Sequence, residues 1–362
     1  MNQEGVQIPL EQIDAYRLRI MSSMPLKLLL VGDVMLGRLV NDILKGISPA
    51  YPWGDTLPLF QDANVRLCNL ECAISARGKP WSATPKVFHF RTDAKNVAVL
   101  NAAHINAVSL ANNHILDFEY EGLFDTLHYL KHAGIHTVGA GATLGEASKP
   151  VIWEEQERKL GLIACTDNEP DWAASETDPG VWYVPTRIGD SRAQHLFEIV
   201  QRARADVECL IVSIHWGPNW GYEPPPEHQP FAHALIDHGA DIVFGHSCHV
   251  VRGIEVYKNR PIIYCAGNFI DDYAVDEVER NDQSFIFLIE LNGTTISRVF
   301  LYPTVIDNFQ ARRAKNNERT AIVTKMQQLC TQLNTVARWN EQEERLEVEI
   351  STMPGTDNVD LV

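Results

Sequence analysis

The sequence predicts an α/β protein whose sheet is buried on both faces. Short, almost wholly apolar runs alternate with amphipathic stretches in a βαβα order, and several of those runs stop at a polar residue of metal-ligand type. Strands covered on both faces read as continuous apolar runs, and their alternation with helical patterns marks α/β architecture.

The opening strand is expected at 26–31 (LKLLLV), too short to cross a bilayer, and it stops at Gly32-Asp33. Residues 1–24 hold Glu4, Glu11, Asp14, Arg17 and Arg19, so they offer no apolar core for a signal peptide or membrane span. They read as a polar lead-in with one or two helical turns, and a cytoplasmic protein is expected. Strands follow at 64–69, 107–110 and 136–138, with helices over 94–103 and 120–133. From 149 the pattern changes: PVIWEEQERKLGLIACT reads as two strands around a charged turn. After a loop over 167–187 come a helix near 194–204, a strand at 209–214, a helix at 230–238, and strands at 242–244, 252–257 and 261–264. A hairpin over 284–291 and 296–302 turns at Asn292-Gly293, a pair suited to a two-residue turn. The domain is expected to span 25–304, leaving 305–362 as an amphipathic helix over 316–337 and a frayed polar tail.

The balance of 31 basic against 47 acidic side chains gives a formal charge of −16, with no Lys/Arg track for a phosphate backbone. That excludes nucleic acid as an expected partner and requires a local positive centre, such as bound metal, for any anionic substrate. The seven cysteines are odd in number and lie mostly in apolar runs, so they read as small buried hydrophobes rather than a disulfide framework. Cys68 and Cys72 lack the second pair that a structural zinc site needs.

Ligand types recur directly after predicted strands: Asp33, Glu71, Asn113-His114, His215 and His246-Ser-Cys-His249. Strand ends converge in an α/β sheet, so residues far apart in sequence can meet in one crevice. Histidine nitrogen with carboxylate oxygen suits Mn, Zn or Fe. Singly, each has a plainer reading. Asp33 would serve as a helix cap, Asn112-Asn113 as a turn, and His215 as a hydrogen-bonded core histidine. Together those readings require a coincidence at every strand end.

The ordered set Gly32-Asp33, Asn69-Leu70-Glu71, Asn112-Asn113-His114, His215-Trp216-Gly217, Gly245-His246-Ser-Cys-His249 and Gly267-Asn268-Phe269 resembles the motifs of the CapA or poly-γ-glutamate capsule synthesis family, within the calcineurin-like metallophosphoesterase superfamily. The resemblance covers roughly 26–303. It implies a four-layer α/β/β/α sandwich with two divalent metal ions. By motif position Asp33 and His249 belong to one metal, Asn113, His215 and His246 to the other, and Glu71 takes the bridging place. His114 matches a non-ligand that stabilises or protonates the leaving group, with Asp33 and His249 also counted in the catalytic set. The chain departs from the pattern in two places. Val34-Met35 follows Asp33 where the superfamily has Asp-x-His, and Gly-His-Ser-Cys-His replaces Gly-His-His-Pro-His.

Arg38, Lys86, His89 and Arg91 are candidate substrate-binding groups, since Arg near metals recognises carboxylate or phosphate through its fork; pairing with surface acids is the alternative. Asp271, Asp272 and Asp276 are candidate acceptors for the histidines, or a solvated acidic loop. The expected function is metal-dependent hydrolysis of a phosphoester or amide, or a step in poly-γ-glutamate assembly, on a small-molecule or peptide substrate bearing carboxylate or phosphate. A peptide epimerase working by Cα proton exchange and a non-catalytic, metal-tied binding module are the alternatives.

Overall fold

The computed structural model describes residues 25–350, so the lead-in at 1–24 lies outside the described residues. Two large sheets organise the chain. The first contains β1 (Leu26–Val34), β2 (Val65–Leu70), β3 (Ala107–Ser109) and β4 (His136–Val138), all parallel neighbours in that order. The second contains β5 (Val151–Glu155), β6 (Arg158–Thr166), β7 (Cys209–His215), β8 (Ile242–His246), β9 (Ile254–Tyr257) and β10 (Arg260–Ile263). Its order is β9-β10-β8-β7-β6-β5, with β6, β7, β8 and β10 parallel and an antiparallel hairpin at either edge. Back in the first sheet, β11 (Asn268–Ile270) pairs with the end of β1, and the long hairpin β12 (Gln283–Asn292) and β13 (Thr295–Asp307) lies antiparallel along it.

Three apolar cores show how the layers stack. Leu28 and Leu30 of β1 share a core with Leu160 and Leu162 of β6, Ile211 of β7 and Phe244 of β8, so the two sheets face each other. The opposite face of the first sheet, with Leu29, Val31 and Val108, packs under Val40, Phe60, Val99, Leu123 and Leu130 of its helices. The opposite face of the second, with Ile163, Val212 and Val243, packs under Leu196 and Phe197 of helix Ser191–Arg204 and Phe231 and Leu235 of helix His228–Asp237. The result is the α/β/β/α order, and it explains why the strands read as unbroken apolar runs: both faces are covered.

The C-terminal expectation needs correction. A boundary after 304 falls inside β13, and the helix ends at Gln332 rather than 337. Asn334, in the left-handed region at φ 55, turns the chain out, and the Thr335 amide donates to the Cys330 carbonyl at 2.9 Å. Two strands, β15 (Ala337–Asn340) and β16 (Arg345–Val348), then extend the first sheet past β13; β14 (Gln310–Arg313) pairs with β13 as well. Of these, β15 forms the edge, and its exposed Arg338 is the kind of charge that keeps an edge from pairing with other chains. Helix Asn316–Gln332 closes the inter-sheet core with Ile322, Val323 and Met326.

One cysteine pair also departs from the sequence reading. Cys248 and Cys265 form a disulfide, while Cys68, Cys72, Cys165, Cys209 and Cys330 are free and buried. Among the described residues no helix is long and apolar enough to cross a membrane.

Candidate metal centre

The centre forms where strands of both sheets end together. Asp33 is brought there by a close backbone approach: a Cβ on Gly32 would lie 1.8 Å from the Gly267 carbonyl oxygen, so only glycine permits the contact. The Asp33 amide then donates to that carbonyl at 3.0 Å. Register does the rest. Asp33 is paired with Asn69 of β2 on one side and Asn268 of β11 on the other, and His215 of β7 is paired with His246 of β8. The ladder shifts at Asp33 on both sides, as bulges do where a side chain is re-aimed beside a site.

Two groups of potential ligand atoms result, Asp33 with His215 and His246, and Asp33 with Glu71 and His249. Within each group the atoms lie within 4.8 Å of one another. The carboxylate common to both is Asp33, whereas Glu71 falls only in the His249 group. Asn113 orients the first group rather than joining it: its side-chain oxygen lies 3.0 Å from His215 Nε2, the ring nitrogen turned away from His246. The His215 and His246 Nδ1 atoms are 2.9 Å apart, and His246 Nδ1 is 3.8 Å from Asp33 Oδ1. Surrounding groups fix these side chains. Asn69 donates to Asp33 Oδ1 at 2.8 Å, Asn112 donates to Asn69 at 3.0 Å, Ser213 Oγ meets His246 Nε2 at 2.8 Å, and Asn268 Oδ1 meets His249 Nδ1 at 3.0 Å.

The donor set fits divalent cations. Asp33 Oδ2 and both oxygens of Glu71 are buried without any hydrogen-bond partner, a costly arrangement for carboxylates unless a cation takes their place as partner. Burial pushes Asp33 from 3.8 up to about 7 against the hydrogen bonds of Asn69 and the Ser247 backbone. It lifts Glu71 well above the usual carboxylate range, helped by the charges of Asp33, Asp271 and Asp117. Burial lowers His215 and His249 and brings His246 down to about 3. Neutral imidazole is the ligating form, and a nearby dication restores the carboxylate charge that burial opposes.

His114 stands beside this set. Its Nδ1 lies 2.6 Å from Asp117 Oδ2, its Nε2 is 3.9 Å from Glu71 Oε1, and Phe90 stacks on its ring at 3.9 Å. Burial first, and the charge of Lys86 next, hold its pKa well below the usual value. Burial raises Asp117 to about 7.

A cleft of about 570 Å³ opens onto His114, Asn113 and His249, walled by Phe88, Trp220 and Tyr273. Arg38 and Lys86 line it; His89 and Arg91 do not. His89 Nε2 sits 3.2 Å from the Trp81 carbonyl, and the Arg91 guanidinium lies 4.2 Å over the Phe118 ring. The run from Pro85 to Phe88, with Phe90, lines the cleft, and two of the four basic candidates turn away from it. Lys86 is itself engaged, donating to the Asn113 carbonyl at 2.6 Å and to Glu169 at 3.2 Å. Arg38 pairs with Asp272 at 3.2 Å. The partner of His249 is Asn268, while Asp276 caps a turn through the Val278 and Glu279 amides. Asn69, Asn268, Asp117 and Trp220 are the site residues that sequence reasoning did not assign. The first two sat inside quoted motifs, and Asp117 is three residues from His114 in a tight turn, a spacing that offered a signal.

Comparison with known proteins identifies relatives of the chain. A "Probable polyglutamine synthesis accessory protein" of Mycobacterium tuberculosis is 36% identical over 283 residues, covering 68% of this chain and 74% of its own. The "PGA biosynthesis protein CapA" of Bacillus subtilis is 28% identical over 268 residues, covering 73% and 68%. The "Capsule biosynthesis protein CapA" of Bacillus anthracis is 25% identical over 330 residues, covering 90% and 78%. Residues 27–273, which carry every motif of the centre, match the family described as "Bacterial capsule synthesis protein PGA_cap", and the chain belongs to that family.

Proposed function

We propose that the chain is a metal-dependent enzyme that cleaves a phosphoester or amide bond in an anionic substrate of the poly-γ-glutamate type named for its relatives. The observation that carries this reading is the position of Asp33, common to two adjacent ligand groups in which Asp33 Oδ2 and both Glu71 oxygens are buried without a hydrogen-bond partner. Asp33, His215 and His246 would hold one cation, with the Asn113 side-chain oxygen orienting the His215 ring through Nε2, and Asp33, Glu71 and His249 would hold the other. A cation pair there supplies Lewis-acid polarisation of a phosphoryl or acyl oxygen and acidifies water. Arg38 at the cleft lining draws a carboxylate or phosphate inward despite the negative net charge. His114, outside both ligand groups and held by Asp117, moves a proton at its Nε2.

His114→Ala should retain both cations and lose roughly 10²–10⁴-fold in rate, the usual contribution of a positioned acid or base. Loss of metal together with rate would remove His114 from the proton-transfer role.

One observation favours a second reading. The neutral His114 ring, with its Nδ1 proton directed to Asp117, leaves an Nε2 lone pair beside the cleft. Such a base suits removal of a Cα proton next to a bound carboxylate, as in peptide epimerisation. Incubation with peptides in D₂O separates the two: epimerisation adds one deuterium without cleavage, and hydrolysis releases a product with Cα–H intact.

A further inference from the structure

Cys248 lies between two candidate ligands, two residues after His246 and one before His249, and it is bridged to Cys265. Cys265 begins the segment Cys265-Ala266-Gly267-Asn268, and each following residue supports the centre. The Ala266 amide donates to the Gly245 carbonyl at 2.9 Å, the Gly267 carbonyl accepts from the Asp33 amide at 3.0 Å, and Asn268 faces His249 at 3.0 Å. The bridge therefore ties the peptide bearing two imidazoles to the peptide that orients one of them and seats the shared carboxylate. The bridged loop also holds two non-glycine residues at positive φ, Ser247 at 105° and His249 at 57°. Backbone of that kind persists where its surroundings over-determine it. Here the cross-link spans 17 residues of sequence and adds to the Val251–Ala266 bridge and the Gly245–Ala266 hydrogen bond.

Resting on the metal-centre reading above, we infer that the Cys248–Cys265 bridge is a redox gate on cation affinity. Oxidised, it holds the Asp33–Glu71–His249 group closed; reduced, it lets the loop relax and His249 leave. The co-reactant is a dithiol reductant. One of its thiolates attacks a bridge sulfur, the S–S bond breaks, and the departing cysteine sulfur takes up a proton. The reductant's second thiol then displaces the other cysteine, leaving two cysteine thiols and the reductant's own disulfide. Two electrons and two protons reach the protein, and a disulfide oxidant reverses the step. Both cysteines are fully buried, so exchange requires the loop to open. A cation in the Asp33–Glu71–His249 group holds His249, and with it the loop, shut. The coupling is reciprocal, with the bridge tightening the cation and the cation protecting the bridge.

The test uses the whole chain with Mn²⁺ alone as probe and a phosphine reductant. Thiol counts in denaturant should give five for the oxidised chain and seven after reduction, from seven cysteines in all. Mn²⁺ at the Asp33–Glu71–His249 site, the one that His249→Ala removes, should bind at least tenfold less tightly after reduction. Cys248→Ser with Cys265→Ser should match the reduced chain under both conditions, and saturating Mn²⁺ should slow reduction of the wild type at least tenfold. Seven thiols after treatment with oxidised glutathione overturn the gate. So do equal Mn²⁺ affinities in the two redox states, whatever the double variant does, because reduction of the wild type needs no substitution. Five thiols with no Mn²⁺ bound in either state overturn the metal-centre reading itself and the gate with it.

Discussion

His215 and His246 are opposite each other in the register of β7 and β8, and their Nδ1 atoms approach to 2.9 Å. Their outer nitrogens assign the tautomers. His215 Nε2 faces the Asn113 side-chain oxygen, so it carries the hydrogen and leaves Nδ1 as acceptor. His246 Nδ1 then donates to it, and His246 Nε2 accepts from the Ser213 hydroxyl. Were one cation to be held by both Nδ1 atoms, His246 would carry its hydrogen on Nε2 instead, with the Ser213 hydroxyl as acceptor, and the pair would release no net proton. Two imidazoles at equal register on parallel strands thus offer two adjacent Nδ1 atoms, one hydrogen between them, to a single partner.

The sharing of Asp33 separates the metal sites experimentally. His246→Ala should remove one cation and leave the His249 group filled; His249→Ala should do the reverse. Asp33→Ala should lose both. Metal content per chain after gel filtration checks this, and an Asp33→Ala protein that keeps one equivalent would refute the shared position.

Cleft geometry sorts the basic residues. Arg38→Met should raise KM for an anionic substrate about tenfold, in line with loss of a charge-assisted hydrogen bond worth about 1.5–3 kcal/mol. Arg91→Met, whose guanidinium rests on Phe118 outside the cleft, should leave KM unchanged. Steady-state kinetics of the two variants on one substrate decide the matter.

A pH effect on stability follows from His228. Burial first, then the charge of Arg252, brings its pKa down to about 3, and neither ring nitrogen has a partner as the ring stacks on Trp216 at 4.1 Å. The unfolded chain protonates this group near 6.5, so between about pH 6.5 and 3 the unfolded state binds the extra proton. Its contribution is fully present above pH 6.5 and falls away as pH drops towards 3, with a limiting slope of about 1.4 kcal/mol per pH unit. His228→Phe keeps the stacking and should flatten the urea-denaturation profile over that window. Identical slopes for variant and wild type would show that His228 titrates normally.

The strands bearing ligands were legible because burial on both faces leaves unbroken Val, Ile and Leu runs, so the polar residue ending each run stood out. Asp33, Glu71, Asn113, His215, His246 and His249 were all visible in that way. What the sequence hid was relational. Which carboxylate is common to both groups depends on the Gly32–Gly267 approach, and no local pattern near Asp33 announces a residue 234 positions later. His89 and Arg91 looked equivalent to Lys86, yet in an extended segment the side that faces the cleft is set by contacts with Trp81 and Phe118. Strands β15 and β16 bury Ala337, Leu346 and Val348 in the inter-sheet core, and the alternation of 345–350 (RLEVEI) was a strand signal hidden among the charges of a segment that reads as a polar tail.

The ligands also come from both sides of the sandwich, Asp33 and Glu71 from the ends of β1 and β2, His215 and His246 from the ends of β7 and β8. Along most of their length the two sheets meet through side-chain packing, which is non-directional and tolerates small lateral slippage. At the ligand end coordination is directional and tolerates little. A filled centre therefore acts as a rivet through two plates: it sets their relative angle at one edge. Emptied of cations, that edge would keep its layers but lose its directional tie, leaving β1 and β8 held chiefly by the packing between the sheets.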